Sequence, residues 1–228
     1  MNSVVSEKKF IQERLGIPYE NLSQSYLRAE TQLSNLSTYN FYVQRGQVAA
    51  PLATENLLEL NDQFVITHFR VSLRYIDPST TGAPTASEQL QALQYLYADP
   101  KVFTSTSAAA GAIYNGNLSF IIDRKQFLPS FPMNAFYRVP TTQTGAFLTT
   151  AGTTGTPSPN FTGNFGQNGY DNGLFGFYVS EPTLIDGRQT LDISLNLGAA
   201  VTIATIGTDP MVYATLETRG YLVVNSKS

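Results

Sequence analysis

Two stretches of strict period-two alternation constrain this chain more than any other feature. In the first, Val65, Thr67, Phe69, Val71, Leu73 and Tyr75 set one face against Ile66, His68, Arg70, Ser72 and Arg74 on the other. Successive side chains of a strand point to opposite sides, so this spacing predicts a half-buried β-strand. The second is longer: Val212, Ala214, Leu216, Thr218, Gly220, Leu222 and Val224 alternate with Tyr213, Thr215, Glu217, Arg219, Tyr221 and Val223. A strand of this length is expected to cross the middle of a sheet, because a long exposed edge invites uncontrolled pairing.

Shorter signals extend the same pattern. Leu191, Ile193, Leu195 and Leu197 alternate with Asp192, Ser194 and Asn196, after an Asp186-Gly187 turn that follows Leu184 and Ile185. Asn115-Gly116 sits between Ile113, Tyr114 and Leu118, Phe120, Ile122, and predicts a hairpin turn there. Runs of strands without regular βαβ alternation give the expected fold class: mainly β, an antiparallel β-sandwich or jelly-roll-like domain with an N-terminal helical arm. The arm is expected over residues 1–50. Val4, Val5, Phe10, Ile11 and Leu15 recur at helical spacing up to Gly16, and a second, weaker helical stripe reads through Leu22, Tyr26, Leu33 and Leu36. A short helix capped by Ser87 is expected through Glu88, Leu90, Leu93 and Leu96. The sandwich would then occupy residues 51–228, interrupted by a Thr/Gly/Asn-rich loop at about 141–173.

Composition narrows the chemistry. The 228 residues contain no cysteine and a single histidine, which excludes thiol nucleophiles, thiolate metal centres and any site needing two histidines from one chain. Charged residues are only 14% of the chain, while Thr, Ser and Asn number 25, 18 and 15, so the surface is expected to be coated by neutral hydroxyl and amide groups. The net charge is −3 and the basic residues are scattered, which gives no stripe for a phosphate backbone. No apolar run reaches the roughly 20 residues of a spanning helix, and no leader pattern opens the sequence, so it reads as made and used from the cytosol.

The candidate site residues are candidates for contact rather than catalysis. His68, Arg70 and Arg74 share one strand face and are expected to meet a neighbouring subunit. Phe147, Phe161, Phe165 and Tyr170 dot the long loop at intervals, as in a segment that docks on something. The Asn164–Asn172 stretch has the oxygen-rich look of a calcium loop but a single carboxylate, Asp171, and reads as a turn instead. No catalytic, metal or cofactor residues are nominated.

Several segments resemble β-rich bacteriophage virion structural proteins: Phe136-Tyr137-Arg138-Val139-Pro140 with Thr142-Gln143; Gly176-Phe177-Tyr178 leading to Glu181-Pro182-Thr183-Leu184-Ile185-Asp186-Gly187; Leu191-Asp192-Ile193-Ser194-Leu195; and Arg219-Gly220-Tyr221-Leu222-Val223-Val224. The resemblance spans about residues 95 to 225. It implies a capsid or capsid-associated subunit, not an enzyme, assembled in a host bacterial cytoplasm into a virion from copies of itself and other virion proteins. The chain departs from coat proteins that condense their own genome in lacking a basic arm, so no direct nucleic-acid contact is expected. The alternative reading is a carbohydrate-binding sandwich of adhesin or fibre type, with Tyr and Asn contacting a glycan.

Overall fold

A computed structural model describes residues 2–76, 83–98, 103, 107–137, 148–150, 158–160, 177–203 and 211–224. Among them the chain is mainly β, with a helix at its N-terminal end. Helix α1 (Asn2–Leu15) precedes strands β1 (Leu22–Gln32), β2 (Thr38–Asn40) and β3 (Gln63–Ile76). Next come α2 (Ala86–Gln91), β4 (Gln94–Tyr95), α3 (Ser107–Gly111), β5 (Asn117–Ile122) and β6 (Lys125–Pro132). A small hairpin of β7 (Leu148–Thr150) and β8 (Ser158–Asn160) precedes β9 (Phe177–Asp186), β10 (Leu191–Asn196) and β11 (Met211–Val223).

The strands form two principal antiparallel sheets. Sheet A runs β1-β11-β3, with β9 and β4 both pairing β3, and sheet B runs β2-β10-β5-β6. Setting aside β4 and the β7–β8 hairpin leaves eight strands. In chain order their pairs are first with last (β1·β11), second with seventh (β2·β10), third with sixth (β3·β9) and fourth with fifth (β5·β6). Two further antiparallel pairings, β11·β3 and β10·β5, join these four ribbons into the two sheets. Strand β11 crosses the middle of sheet A, as its length required.

One apolar core draws on both sheets. Ala29, Phe64, Val71, Leu73, Ala214 and Leu216 from sheet A pack with Tyr39, Leu118, Phe120, Leu191, Ile193 and Leu195 from sheet B. Edge-to-face ring pairs, Phe69 with Phe131 and with Phe136, bring β3 against β6 and the turn that follows it.

Four local expectations are corrected. Residues 22–32 are not a helix but β1, paired with β11 along their whole length. Leu22, Tyr26 and Leu33 fit a 3.6 period, yet the buried residues are Leu22, Leu27, Ala29 and Leu33, and the cross-strand partner decides. The helical part of residues 1–50 is therefore confined to α1 and short 3₁₀ turns, because β1 and β2 are strands of the two sheets. Asn115-Gly116 does not turn a hairpin: Ala112–Asn115 is a 3₁₀ turn leading into β5. The hairpin turn lies at Asp123 and Arg124, with φ of 47° and 67°, between β5 and β6. Helix α2 is capped by Thr85 rather than Ser87, in a reciprocal pair with Glu88, and it ends at Gln91.

Strand β3 also breaks its own alternation. The β3·β11 register shifts at Arg219/Gly220, where His68 faces Arg219 but Ile66 faces Gly220, leaving Thr67 as the bulged residue. Val65 consequently joins a cluster on the outer face of sheet A, and Phe64, Ile66, Phe69 and Val71 all join the core. The bulge depends on Gly220, since a Cβ at that position would collide with the Val65 carbonyl.

Candidate functional site

Pairing sets the side chains on the outer face of sheet A in cross-strand rows. Gln24, Tyr221 and Val65 form one row, Tyr26, Arg219 and His68 the next, Arg28, Glu217 and Arg70 a third, and Glu30, Thr215 and Ser72 a fourth. Two covers lie over this face, one at each end.

The first cover is α1. Its Ile11, with no exposed surface, packs on Leu22, Val65, Tyr221 and Val223, with Leu15, Ile17 and Leu184 around them. Two polar ties accompany it. Lys8 Nζ donates to the Leu22 carbonyl at 2.6 Å, and the Tyr221 hydroxyl donates to Glu7 Oε2 at 2.7 Å. The Lys8 ammonium also stands 5.0 Å from the centre of the Tyr19 ring and 5.6 Å from that of Tyr221.

The second cover is residues 51–56 with α2. Beneath it Arg74 is fully buried, ion-paired through Nη1 with Glu30 at 2.5 Å, and Glu30 is also paired with Arg28 at 2.8 Å. Arg74 donates further to Thr54 Oγ1 at 2.9 Å and to the Gln89 carbonyl. Glu55 accepts the backbone N–H groups of Glu30 and Leu52, each on its own oxygen. Burial pushes the Glu55 carboxyl above its ordinary range, against the pull of those two hydrogen bonds.

These covers also guard the β1 edge. Arg28 exchanges both backbone hydrogen bonds with Asn56, the Asn56 amide donates to the Tyr26 carbonyl at 2.5 Å, Glu55 takes the Glu30 N–H, and Lys8 takes the Leu22 carbonyl. Unpaired edges template strand addition, and here five outward-pointing backbone groups of an 11-residue strand are occupied by the chain itself.

Between the covers lies an open groove of about 520 Å³. Tyr26, half-exposed, the exposed Arg219 and the half-buried His68 form its floor, and Glu7 of α1 its wall. Burial holds the His68 imidazole below its usual range, with Arg219 pushing the same way and Glu7 opposing. His68 Nδ1 lies 3.0 Å from the Thr67 hydroxyl.

Of the residues singled out from sequence, His68, Arg70 and Arg74 do share one sheet face, but they meet different surroundings. His68 lines the groove, and Arg70 is held by Glu217 and by Gln94 at 3.1 Å. Arg74 lies beneath the second cover rather than on the surface. Phe147, Phe161, Phe165 and Tyr170, and the Asn164–Asn172 stretch, fall outside the described residues. Glu7, Gln24 and Tyr26 were missed, because the segment carrying the last two read as helix. Arg219 and Tyr221 were visible as the polar face of their strand, but their neighbours were not.

Another, smaller groove of about 460 Å³ lies on the outer face of sheet B, lined mainly by Asn117, Ser119, Ser130, Ser194 and Asn196. Its lining is neutral. Among the described residues no group of three or more His, Asp or Glu is placed to hold a metal ion, and no helix is long and apolar enough to cross a membrane. No protein family, curated protein or solved structure matches the chain.

Proposed function

We propose that this chain is a structural subunit of a bacteriophage virion, a coat or coat-associated protein that acts by assembling with copies of itself and with other virion proteins. The observation that carries the reading is the strand order. First-with-last, second-with-seventh, third-with-sixth and fourth-with-fifth pairing is what results when one long antiparallel ribbon is rolled into two facing sheets, which we read as a jelly roll, an architecture recurrent in viral capsid domains. The sequence resemblance and a charge-poor, hydroxyl- and amide-rich composition support the same conclusion, since neutral polar groups are cheaper to desolvate against a neighbour than charges. The test is negative-stain electron microscopy of the purified full chain, alone and mixed with the other proteins of the particle. Closed assemblies, or decoration of a preformed shell, are expected. A chain that stays monomeric at high concentration and binds no virion component overturns the reading.

One observation favours a second reading, a glycan-binding module. Jelly rolls also serve as lectin domains, and the sheet B groove offers hydroxyl and amide groups suited to neutral sugars. Glycan-array screening decides it, and an array without hits above background removes it.

A further inference from the structure

We propose that α1 is an exchangeable arm, and that its seat on the outer face of sheet A is the docking site for the α1 of a second copy of this chain. Four features of the seat carry the inference. The apolar cluster joining α1 to the sheet is separate from the main core, so α1 leaves without opening the sandwich. The attachment is narrow: Ile11 is the one fully buried apolar side chain among the described residues of α1, backed by the Lys8 and Glu7 ties.

The link is built to redirect the chain. Gly16 ends the helix at φ of +70°, a left-handed conformation natural to glycine, with open space where a Cβ would be. Ile17 and Pro18 follow, and Pro18 has no N–H to extend the helix. Finally, seating α1 on its own chain leaves apolar surface uncovered. Val4 and Val5 are 39% and 43% exposed on α1, and Tyr19 and Tyr26 are 37% and 47% exposed beside the seat.

The occupant is fixed by chemistry. The segment that fits this seat is the one already seen in it, and every second copy carries that segment with the same Ile11, Lys8 and Glu7. Exchange therefore replaces each contact by an identical one, which makes swapping a low-cost route to association. The groove beside the seat would then lie between two copies, with the partner's Glu7 opposite His68 and Arg219. This deepens the assembly reading by naming how copies engage, and it rests on that reading only in taking association of copies to be the chain's work.

The absence of cysteine gives a clean test. Glu7→Cys and Gln24→Cys, two groove-lining positions, are placed in separate full-length chains, mixed and treated with a short bismaleimide. The expected product is a covalent dimer in which peptide mapping joins position 7 of one chain to position 24 of the other. In parallel, Ile11→Asp in the otherwise unchanged chain is expected to shift sedimentation from dimers or larger species to monomer while retaining the far-UV spectrum of the sandwich. Absence of the interchain product overturns the proposal, whether or not a chain carrying both Glu7→Cys and Gln24→Cys cross-links within itself. So does undiminished association of a folded Ile11→Asp chain. Particles whose arms cross-link only within chains would sink this inference and leave the coat reading standing. Arm-linked dimers that never build or join a particle would do the reverse.

Discussion

The two covers on the outer face of sheet A solve the same problem by opposite means. At one end α1 shields Val65, Tyr221 and Val223 with a few apolar contacts, in a cluster that shares nothing with the main core. At the other, residues 51–56 and α2 enclose Arg74 and Glu30, whose side chains have no exposed surface at all. Apolar burial is graded and non-directional, so the first cover can detach with a cost proportional to its area. A desolvated ion pair is not graded: removing one partner strands the other charge in a dry site. The helix is thus a separable piece and the charged cover an integral one. The boundary between them is the bulge at Thr67, where the outer row changes from Val65 to His68.

That contrast is open to direct attack. Glu30→Ala leaves Arg74 buried without its counter-ion and should lower global stability by about 3–5 kcal/mol, read as an earlier urea midpoint. A loss below about 1 kcal/mol, the range of exposed pairs, would show that the charged cover is no more integral than the helix. Gly220→Ala drives a Cβ into the Val65 carbonyl. It should cost about 3 kcal/mol, the upper part of the overpacking range, and disturb both covers together in hydrogen exchange. Protection unchanged on either side would dissociate the bulge from the boundary.

Ile11→Ala should cost α1 about 2 kcal/mol of docking energy, raising amide exchange within residues 2–15 while the main unfolding transition hardly moves. A matching drop in the main transition would make α1 part of the core. The smallest effect is that of pH, and the two ends should respond in opposite senses. His68, held below its ordinary value of 6.5, favours the folded state while neutral. Its contribution is complete above that value and lost as pH falls below it toward the lowered native value. Glu55, raised above 4.5, contributes fully below that value and loses its contribution as pH rises through the native one. Mild acidification through the histidine range should therefore loosen the His68 end in exchange measurements while the Glu55 end holds. His68→Gln should abolish the difference, and its persistence would remove histidine from the account.

Much of the sandwich is legible in the sequence because sheets facing a single core impose period two directly. β11 and β10 read correctly from end to end, and β3 from Phe69 onward. The failures have physical causes. The bulge at Thr67 inverts Val65 and Ile66, and it is caused by a glycine more than 150 residues away that sequence reading cannot pair with it. β1 is polar along its outer face because that face meets the Arg70–Glu217 and Arg74–Glu30 pairs, and a polar strand with Leu22 and Tyr26 four apart, followed by Leu33 and Leu36 three apart, mimics a weak helix. The turn at Asp123-Arg124 carries positive φ without glycine, while the nearby Asn115-Gly116 supplies the usual signal and goes unused. Of the groove, the polar-face positions of His68 and Arg219 on their strands were readable. Its wall was not, because Glu7 reaches it from another element.

The most direct test of the account is sedimentation velocity of the full chain across a wide concentration range. Copies that associate through a rolled-ribbon domain and an exchangeable helix should give discrete species well above the 25.0 kDa of one chain, growing with concentration. A single species at that mass across the whole range would contradict it.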